Sequence, residues 1–402
     1  MGTIWPSLPE VPPMQLSQRV GSLKGSVTLA LAAAAKEMAA AGRDVVNMAV
    51  GEPDFDAPRL AREAAIAAVN SGAVKYTPAA GLVSLRRTVA DHLRETRGVD
   101  YGVENVVICH SAKHALSHTL MALVNDGDEV LLLDPAWSSY YAQIQLAGGV
   151  AVHVPPKQDG SCAPDLDAIR AAITDRAAGI MFNTPSNPSG YVWSRAELEE
   201  LAAICEAHDL WMISDEIYGR LVFDGAEHVS PASLSDAMRA RTVVVDGASK
   251  VFAMTGYRIG YLAASEDLAT AVGNLQSQLS GCPNYVSQRA FEACLTEEPE
   301  EVAEMIATFD RRRRLVIEAL DRLGLRGPRP TGAFYAFPDL HERFDDRGAP
   351  GFCADLLEAE ALATVPGTAF GAPSHVRLSY AVSEERLREA LERFERFLST
   401  RP

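Results

Sequence analysis

Lys250 and Arg258 are the two residues whose types, spacing and surroundings most directly suggest chemistry. The apolar run 242–245 ends in small residues before Lys250, and Arg258 follows eight positions later between Gly256 and Gly260. A buried ammonium group is costly unless it is paired or loses its charge, and only a neutral amine attacks an aldehyde. The guanidinium group of an arginine is a permanent cation whose donor geometry suits a phosphate. The pair therefore predicts pyridoxal 5'-phosphate (PLP), although a solvated lysine and a surface arginine would leave the same pattern.

Polar side chains near the ends of other apolar stretches suit the ring of the same cofactor. Asp215 follows the apolar run 210–213, where a carboxylate can keep a pyridine nitrogen protonated. Tyr218 and Asn187 can both donate hydrogen bonds to a phenolate oxygen, which lowers the pKa of an imine on Lys250. Each also has a structural explanation: a helix N-cap for Asp215, core packing for Tyr218 and an Asn-Pro turn for Asn187.

The phosphate of the cofactor and the carboxylate of a substrate need donors of their own. Ser111, Ala112 and Lys113 open a predicted helix and offer a hydroxyl, backbone amides and an ammonium group to a phosphate. Arg377 lies in an apolar strand and is the best candidate to bind a substrate carboxylate, with a structural salt bridge as the alternative. Trp137 can stack on a flat ring, although ordinary core packing is the simpler explanation for it alone.

The elements that must position these residues alternate between strand and helix. Predicted strands cover 106–109, 129–133, 150–154, 178–182, 210–214 and 242–245, with predicted helices at 115–124, 165–174 and 197–208. This alternation predicts an α/β fold with a mostly parallel sheet, helices on both faces and site residues where strands end. After about residue 290, long helices beside short strands predict a smaller α+β domain. We therefore expect an N-terminal arm and part of the small domain in 1–50, a large cofactor-binding domain in 51–290 and a small C-terminal domain in 291–402.

Length, composition and charge exclude several classes of protein. A chain of 402 residues exceeds the usual single core, and 48% hydrophobic with 22% charged residues is ordinary for a soluble globular protein. The net charge of −16 argues against nucleic acid and anionic membrane as partners. The six cysteines lack metal-ligand spacing, so they predict buried thiols in a reducing cytoplasm and no metal site. No apolar run reaches transmembrane length, and residues 1–14 lack the features of a secretory signal.

Several motifs occur together in the order typical of one enzyme family. They are Gly51-Glu-Pro-Asp-Phe-Asp, Lys75-Tyr76, Asn183-x-Pro-x-Asn187-Pro-x-Gly190, Ser214-Asp215-Glu216-Ile217-Tyr218, Lys250-x-Phe-Ala-Met-Thr-Gly-Tyr-Arg258-Ile-Gly260, Gly332-Ala-Phe-Tyr335, Val365-Pro-Gly-Thr and Val376-Arg377-Leu-Ser-Tyr380. Over roughly residues 17–400 the chain resembles class I PLP-dependent aminotransferases of fold type I, and it is most similar to the bacterial and thermophilic aspartate aminotransferases. The resemblance implies a seven-stranded type of sheet, PLP, and a ping-pong transfer of an amino group between an amino acid and a 2-oxo acid.

The resemblance also implies a role for each residue that meets the cofactor ring. Lys250 would hold the cofactor and carry a proton between the substrate α-carbon and C4', and Asp215 would bind the pyridine nitrogen. Tyr218 and Asn187 would bind O3', and Trp137 would stack on the ring.

The remaining roles concern the phosphate, the substrate and the second subunit. The phosphate would be held by Ser111, Ala112, Lys113 and Arg258, with Tyr76 reaching it from the partner subunit of a homodimer. The substrate would be held by Gly51, Arg377, Asn187, Lys113, Ser26 and Thr28. Because Lys113 would recognise a distal carboxylate, the resemblance favours aspartate, glutamate or another acidic amino acid.

Two other functions remain open at the level of the sequence. A PLP enzyme of the same fold can eliminate or replace a β- or γ-substituent, because the fold does not decide the reaction. A PLP-fold regulator is a more distant alternative, since no helix-turn-helix segment precedes residue 25.

Overall fold

The computed structural model describes residues 14–21, 23, 25 and 27–401. Its strands are β1 Val46–Asn47, β2 Val106–Cys109, β3 Glu129–Leu133, β4 Val150–Val154, β5 Ala177–Asn183, β6 Trp211–Asp215, β7 Thr242–Gly247, β8 Gly260–Ala263, β9 Tyr335–Ala336, β10 Leu362–Ala363, β11 Val365–Pro366 and β12 Val376–Ser379. Its helices are α1 Gln18–Gly21, α2 Val27–Ala40, α3 Arg59–Asn70, α4 Val83–Arg97, α5 Ala112–Leu123, α6 Ser138–Leu146, α7 Leu166–Ala172, α8 Arg195–Ala207, α9 Asp236–Arg241, α10 Ala248–Val251, α11 Glu266–Leu279, α12 Tyr285–Thr296, α13 Glu300–Arg322, α14 Gly348–Glu360 and α15 Glu384–Ser399.

A seven-stranded sheet in the order β2-β8-β7-β6-β5-β3-β4 positions most of the predicted site. In this sheet β8 runs antiparallel to its neighbours β2 and β7, while the other pairings are parallel. The carboxyl ends of β5, β6 and β7 therefore lie side by side at one edge. The predicted α/β fold with a mostly parallel seven-stranded sheet is confirmed.

Alternate residues of the central strands enter separate cores on the two faces of this sheet. Leu131 and Ile180 pack in one cluster with residues of α8, and their neighbours Leu132 and Met181 pack in another with residues of α5. This separation follows from the two-residue period of a strand, which sends successive side chains to opposite faces. Helices cover both faces, as the alternating pattern predicts.

The C-terminal part of the chain forms smaller sheets beside long helices. The strands β11, β12 and β9 make an antiparallel three-stranded sheet, and β1 pairs in parallel with β10. The segment at Val46 thus pairs with the C-terminal part, and we propose that it contributes to a small domain. A boundary at 290–291 would cut α12, so we propose to place it between α12 and α13.

Several elements were not predicted from the sequence. These include α1, α6, α9, α10, α11, α12 and β8, and α5 begins three residues earlier than expected. The sequence of α11 has small and polar residues on its buried side, Ala269 and Gln276 among them, so its apolar periodicity is weak. Within the described residues, every helix is too short or too polar to cross a bilayer.

Candidate active site

A cavity of about 340 Å³ opens at the carboxyl ends of β5, β6 and β7. Eleven predicted site residues line it: Gly51, Ser111, Ala112, Lys113, Trp137, Asn187, Asp215, Tyr218, Lys250, Arg258 and Arg377. Tyr76 does not line it and is 98% exposed. Ser26 lies outside the described residues, and so does the side chain of Thr28.

Lys250 lies in the short helix α10, directly after β7. Its Nζ donates a hydrogen bond to the backbone oxygen of Gly51. The surrounding protein desolvates the amine and lowers the pKa of Lys250 to about 8. At pH 7 about a tenth of this amine is therefore neutral, far more than for a lysine in water. Lys250 is thus not a solvated lysine on a loop.

Asp215, the last residue of β6, is buried, and its carboxylate accepts hydrogen bonds from within the chain. Its Oδ2 accepts a hydrogen bond of 2.5 Å from the hydroxyl of Tyr140, and its Oδ1 accepts one of 3.2 Å from the backbone N–H of Ile217. Burial raises the pKa of Asp215 to about 7, and the bond from Tyr140 opposes that rise. A cation beside this carboxyl group would hold it ionised.

A buried network of charged side chains holds together the ends of two strands. One is β6, which ends at Asp215, and the other is β7, which precedes Lys250. Arg97 of α4 donates to Glu216 at 2.6 Å and to Asp246, and His228 lies 3.0 Å from Glu216. Desolvation opposes ionisation of Glu216, but Arg97 and His228 outweigh it and lower its pKa to about 2. Removal of one partner from such a buried set would leave an uncompensated charge. The network therefore links the end of β6 to the end of β7 through Arg97.

Tyr218 and Asn187 face the cavity from the large sheet and are tied to residues of the small sheet. The hydroxyls of Tyr218 and Tyr335 lie 2.8 Å apart, and Asn187 Oδ1 accepts a bond of 2.9 Å from Arg377. The backbone N–H of Asn187 donates to Asn183 at 2.7 Å, which holds the loop after β5. The site is therefore assembled from both sheets.

The turn between β2 and α5 has the geometry of an anion cradle. Ser111 has a positive φ of 94°, and the free N–H groups at the start of α5 follow it. A Cβ on Gly260 would lie 2.5 Å from the backbone N of Ala112, so only glycine lets β8 approach this turn. Arg258 also has a positive φ, of 51°, and it is exposed, with one bond of 2.7 Å to the oxygen of Thr255. Among the described residues no carboxylate forms an ion pair with it.

Arg377 is a buried cation without an acidic partner in the described part of the chain. It is 2% exposed, and it donates to Asn187 and, at 2.6 Å, to the oxygen of Ala49. Its guanidinium group lies 4.6 Å from the ring centre of Tyr335 and 5.0 Å from that of Phe370. Its Nε has no hydrogen-bond partner among the described residues. The structural salt bridge considered above is absent there, and a donor remains for an anion in the cavity.

Lys113 and Trp137 are in contact with each other in the lining of the cavity. The Nζ of Lys113 lies 4.6 Å from the centre of the Trp137 ring, a cation–π contact. Desolvation, with a smaller contribution from nearby Arg258, lowers the pKa of Lys113. The cavity therefore has cationic groups at separate places, on α5, after β7 and on β12.

Tyr140 and Arg97 contribute to the site without having been predicted. Tyr140 follows Trp137 by three residues, but no pattern in the sequence links it to Asp215. Arg97 is the last residue of an otherwise ordinary amphipathic helix, where a basic residue is common. Tyr335 lies in the motif Gly332-Ala-Phe-Tyr335, but the sequence alone indicates no role for it.

The comparisons with known proteins agree with this geometry. Residues 43–394 match the aminotransferase class I and II family. The chain is 41% identical to the aspartate aminotransferase of Geobacillus stearothermophilus, over 96% of this chain and 100% of that protein. It is also 41% identical to an aspartate/prephenate aminotransferase of Thermus thermophilus, over 95% of this chain and 98% of that one. The structure of a Thermus thermophilus aspartate aminotransferase with maleate superimposes with a TM-score of 0.92 at 39% identity, covering 96% of this chain and 100% of the other. The chain belongs to the class I and II aminotransferases, which are PLP-dependent enzymes that move an amino group between an amino acid and a 2-oxo acid.

Proposed function

We propose that the amino donor of this aminotransferase is an acidic amino acid of the aspartate or glutamate type. The observation that carries the proposal is a second cation in the cavity lining, Lys113, in addition to Arg377, a buried guanidinium group with no acidic partner among the described residues. Arg377 would take the α-carboxylate, and Lys113 would take a distal carboxylate elsewhere in the lining. The similarity to aspartate and aspartate/prephenate aminotransferases supports the same substrate class.

The residues of the cavity suit the cofactor of the family. When bound, PLP supplies an aldehyde that takes up the amino group and an electron-withdrawing ring. We propose that Lys250 holds the cofactor and that Asp215 binds the ring nitrogen. Tyr218 and Asn187 would bind O3', and Trp137 would lie against the ring.

The phosphate would be held by the turn that precedes α5. Ser111 and the N–H groups from Ala112 onward supply neutral donors, and Lys113 and Arg258 add positive charge. Arg258 retains donors that no described carboxylate uses, which supports this role.

Lys250 is also the proposed proton carrier. Its pKa of about 8 lies close to neutrality, which suits a group that must both take and give a proton. Gly51, whose backbone oxygen accepts the hydrogen bond of Lys250, would also contact the substrate carboxylate. A Cβ at Gly51 would lie 2.6 Å from the hydroxyl of Tyr335, so a larger residue would displace that ring.

We further propose a homodimer in which each subunit completes the other's phosphate site. Ile66 and Val69 of α3, Tyr76 and Leu279 are exposed although apolar or aromatic, and they lie on neighbouring segments. The backbone N–H of Thr77, next to Tyr76, donates to Cys282 Sγ, just after α11. Such a surface suits contact with a second copy. The cytoplasm remains the proposed location, supported by six unpaired cysteines.

A spectral titration tests the proposed substrate class. The purified holoenzyme is mixed with single amino acids in the absence of any 2-oxo acid. Aspartate or glutamate should convert the lysine-bound cofactor to its aminated form and release the matching 2-oxo acid, which oxaloacetate, 2-oxoglutarate or prephenate should then reverse. Release of ammonia with return to the lysine-bound form would instead support elimination or replacement.

A variant separates recognition of the distal carboxylate from the general reaction. Lys113→Met should lower kcat/KM for aspartate more than for alanine, because alanine has no distal carboxylate. An equal loss for both amino acids would assign Lys113 to the phosphate alone.

A further inference from the structure

A cluster of one thiol and three imidazole rings lies behind the phosphate turn. Cys109 ends β2, His110 follows it, and His114 and His118 lie on the first two turns of α5. Cys109 Sγ and one ring nitrogen each of His114 and His118 lie within 4.8 Å of one another. The ring centres of His114 and His118 are 3.9 Å apart, and those of His110 and His114 are 5.1 Å apart. The spacing of the cysteines predicts no metal site, yet the fold brings these four side chains together.

The imidazole rings of the cluster have unmet hydrogen-bonding capacity. His110 Nε2, His114 Nδ1 and His118 Nδ1 are all buried without a hydrogen-bond partner among the described residues. His118 as a whole is only 2% exposed. Buried polar atoms are almost always paired, so three such nitrogens on neighbouring rings indicate a missing partner.

The cluster is separate from the cofactor cavity. Ala112, Lys113 and Leu116 line that cavity, whereas Cys109, His110, His114 and His118 do not. With 3.6 residues per turn, positions 114 and 118 share one face of α5, and positions 112, 113 and 116 lie on another. The phosphate of PLP would therefore not be the hydrogen-bond partner of these unpaired ring nitrogens.

The donor set is that of a borderline-soft divalent metal ion. Two histidines four residues apart on a helix place their ring nitrogens on one ion, and a nearby thiolate favours Zn²⁺ over Mg²⁺ or Ca²⁺. Bond lengths of about 2.0–2.3 Å put the ligand atoms of a tetrahedral zinc site about 3.3–3.8 Å apart, which small rotations of the rings would reach. We propose that Cys109, His114 and His118 bind one Zn²⁺ ion, with His110 or water as the fourth ligand.

Bound Zn²⁺ would connect the end of β2 to α5 across the turn that contains Ser111. The partly exposed rings of His110 and His114 lie on the accessible side of the cluster and give the ion its route of entry. Because the ion would bind the folded chain and not the unfolded one, it should raise the melting temperature in proportion to the logarithm of its concentration.

The test uses untagged holoenzyme that has been stripped of metal with a chelator. Equilibrium dialysis followed by elemental analysis measures bound Zn²⁺, with Mg²⁺ as the control ion. Co²⁺ serves as a second probe, because a thiolate ligand gives it a charge-transfer absorbance in the near ultraviolet. The wild type should bind one Zn²⁺ per chain, ignore Mg²⁺ and show the Co²⁺ band.

Three variants and one control complete the experiment. Cys109→Ser should abolish the Co²⁺ band, and His118→Gln should weaken Zn²⁺ binding by more than about tenfold, since loss of even an outer-shell contact costs that much. His114→Gln, at a less buried position, replaces either variant that fails to fold, as judged from the absorbance of lysine-bound PLP. His208→Gln, on the exposed end of α8, should change nothing. Sub-stoichiometric Zn²⁺ in the wild type, or equal binding in the cluster variants, would overturn the proposal and leave a hydrated histidine cluster.

Discussion

Around Asp215 the polar groups are buried and already bonded within one chain, whereas around Arg258 and Tyr76 they face solvent. We call the first region, Asp215 with Tyr140 and Tyr218, the ring side, and the second, Arg258 and Tyr76, the phosphate side. Burial raises the pKa of Asp215 to about 7, while Tyr76 is 98% exposed. The difference indicates that the chain builds the ring side on folding. The phosphate side is left to be completed by the cofactor and, as we propose, by a second subunit.

The largest effect is expected from Lys250→Ala. This change removes the amine that we propose both holds the cofactor and carries the proton. Transamination should fall by at least roughly 10⁴-fold, the upper end of what a positioned acid–base group contributes. The absorbance of the lysine-bound cofactor measures its attachment. Assays of the 2-oxo acid formed from aspartate at fixed times measure turnover. A Schiff base still formed at the same site would show that another lysine holds the cofactor.

Arg377→Lys should produce the next largest loss. Truncating one partner of a buried charged contact costs roughly 2–5 kcal/mol, so kcat/KM for aspartate should fall by roughly 30- to 5,000-fold. A lysine lacks the planar fork that would bond Asn187, Ala49 and both oxygens of a carboxylate together. Binding of PLP, followed by absorbance, should be retained. Loss of PLP instead of substrate affinity would place Arg377 in folding and not in recognition.

Tyr140→Phe tests the ring side with the removal of one oxygen atom. Loss of a hydrogen bond to a buried carboxylate costs about 1–3 kcal/mol, which predicts a fall in kcat of roughly ten- to a hundredfold. Because the Tyr140 hydroxyl lowers the pKa of Asp215, its removal should also raise that pKa and shift the acid side of the activity profile to higher pH. An unchanged kcat would mean that Asp215 does not depend on its neighbour.

The effect of pH on the rate of cofactor uptake is expected to be about as large as the effect of Tyr140→Phe on kcat. The neutral amine of Lys250 increases as pH rises through its pKa of about 8, so the rate at which PLP attaches to the cofactor-free protein should rise roughly tenfold between pH 7 and pH 9 and then level off. Rapid mixing with absorbance detection measures this rate. A rise of about a hundredfold over that interval, still continuing at pH 9, would contradict the lowered pKa.

Tyr76→Phe is the matched change on the phosphate side and should have the smallest effect. An exposed hydroxyl bonded to a phosphate contributes about 0.5–1.5 kcal/mol, so PLP should dissociate only a few-fold faster. Hybrid dimers of Tyr76→Phe and Lys250→Ala subunits locate the contact. Faster loss only from sites whose partner subunit carries the Tyr76 change would support the shared site, and an effect confined to the mutated chain would reject it.

The residues that the sequence made predictable are those with an unusual local setting. Lys250, Asp215 and Arg377 are polar residues in or beside apolar strands, and the alternation of strands and helices implied that their positions would meet. All three line one cavity in the structure. Their proposed roles still depend on the resemblance to the family.

The contacts that escaped prediction depend on the order of the strands. Tyr140 and Asp215 are 75 residues apart and meet because β6 lies two strands from β3, the strand that precedes α6. The spacing of His114 and His118 was visible in the sequence, but the approach of Cys109 depends on the tight turn at Ser111. The placement of β8 between β2 and β7 also had no local signal, because nothing in a short apolar strand specifies its neighbour.

The immobile setting of Arg377 affects how substrates are compared. Its guanidinium group is held by Asn187, the oxygen of Ala49 and two aromatic rings before any carboxylate arrives. Fixing a free arginine side chain costs about 1.5–2 kcal/mol of conformational entropy, and here that ordering accompanies folding. Every 2-oxo acid and amino acid therefore meets the same rigid clamp at its shared end. Differences in affinity among them should arise at the other end of the molecule, where the substrates themselves differ.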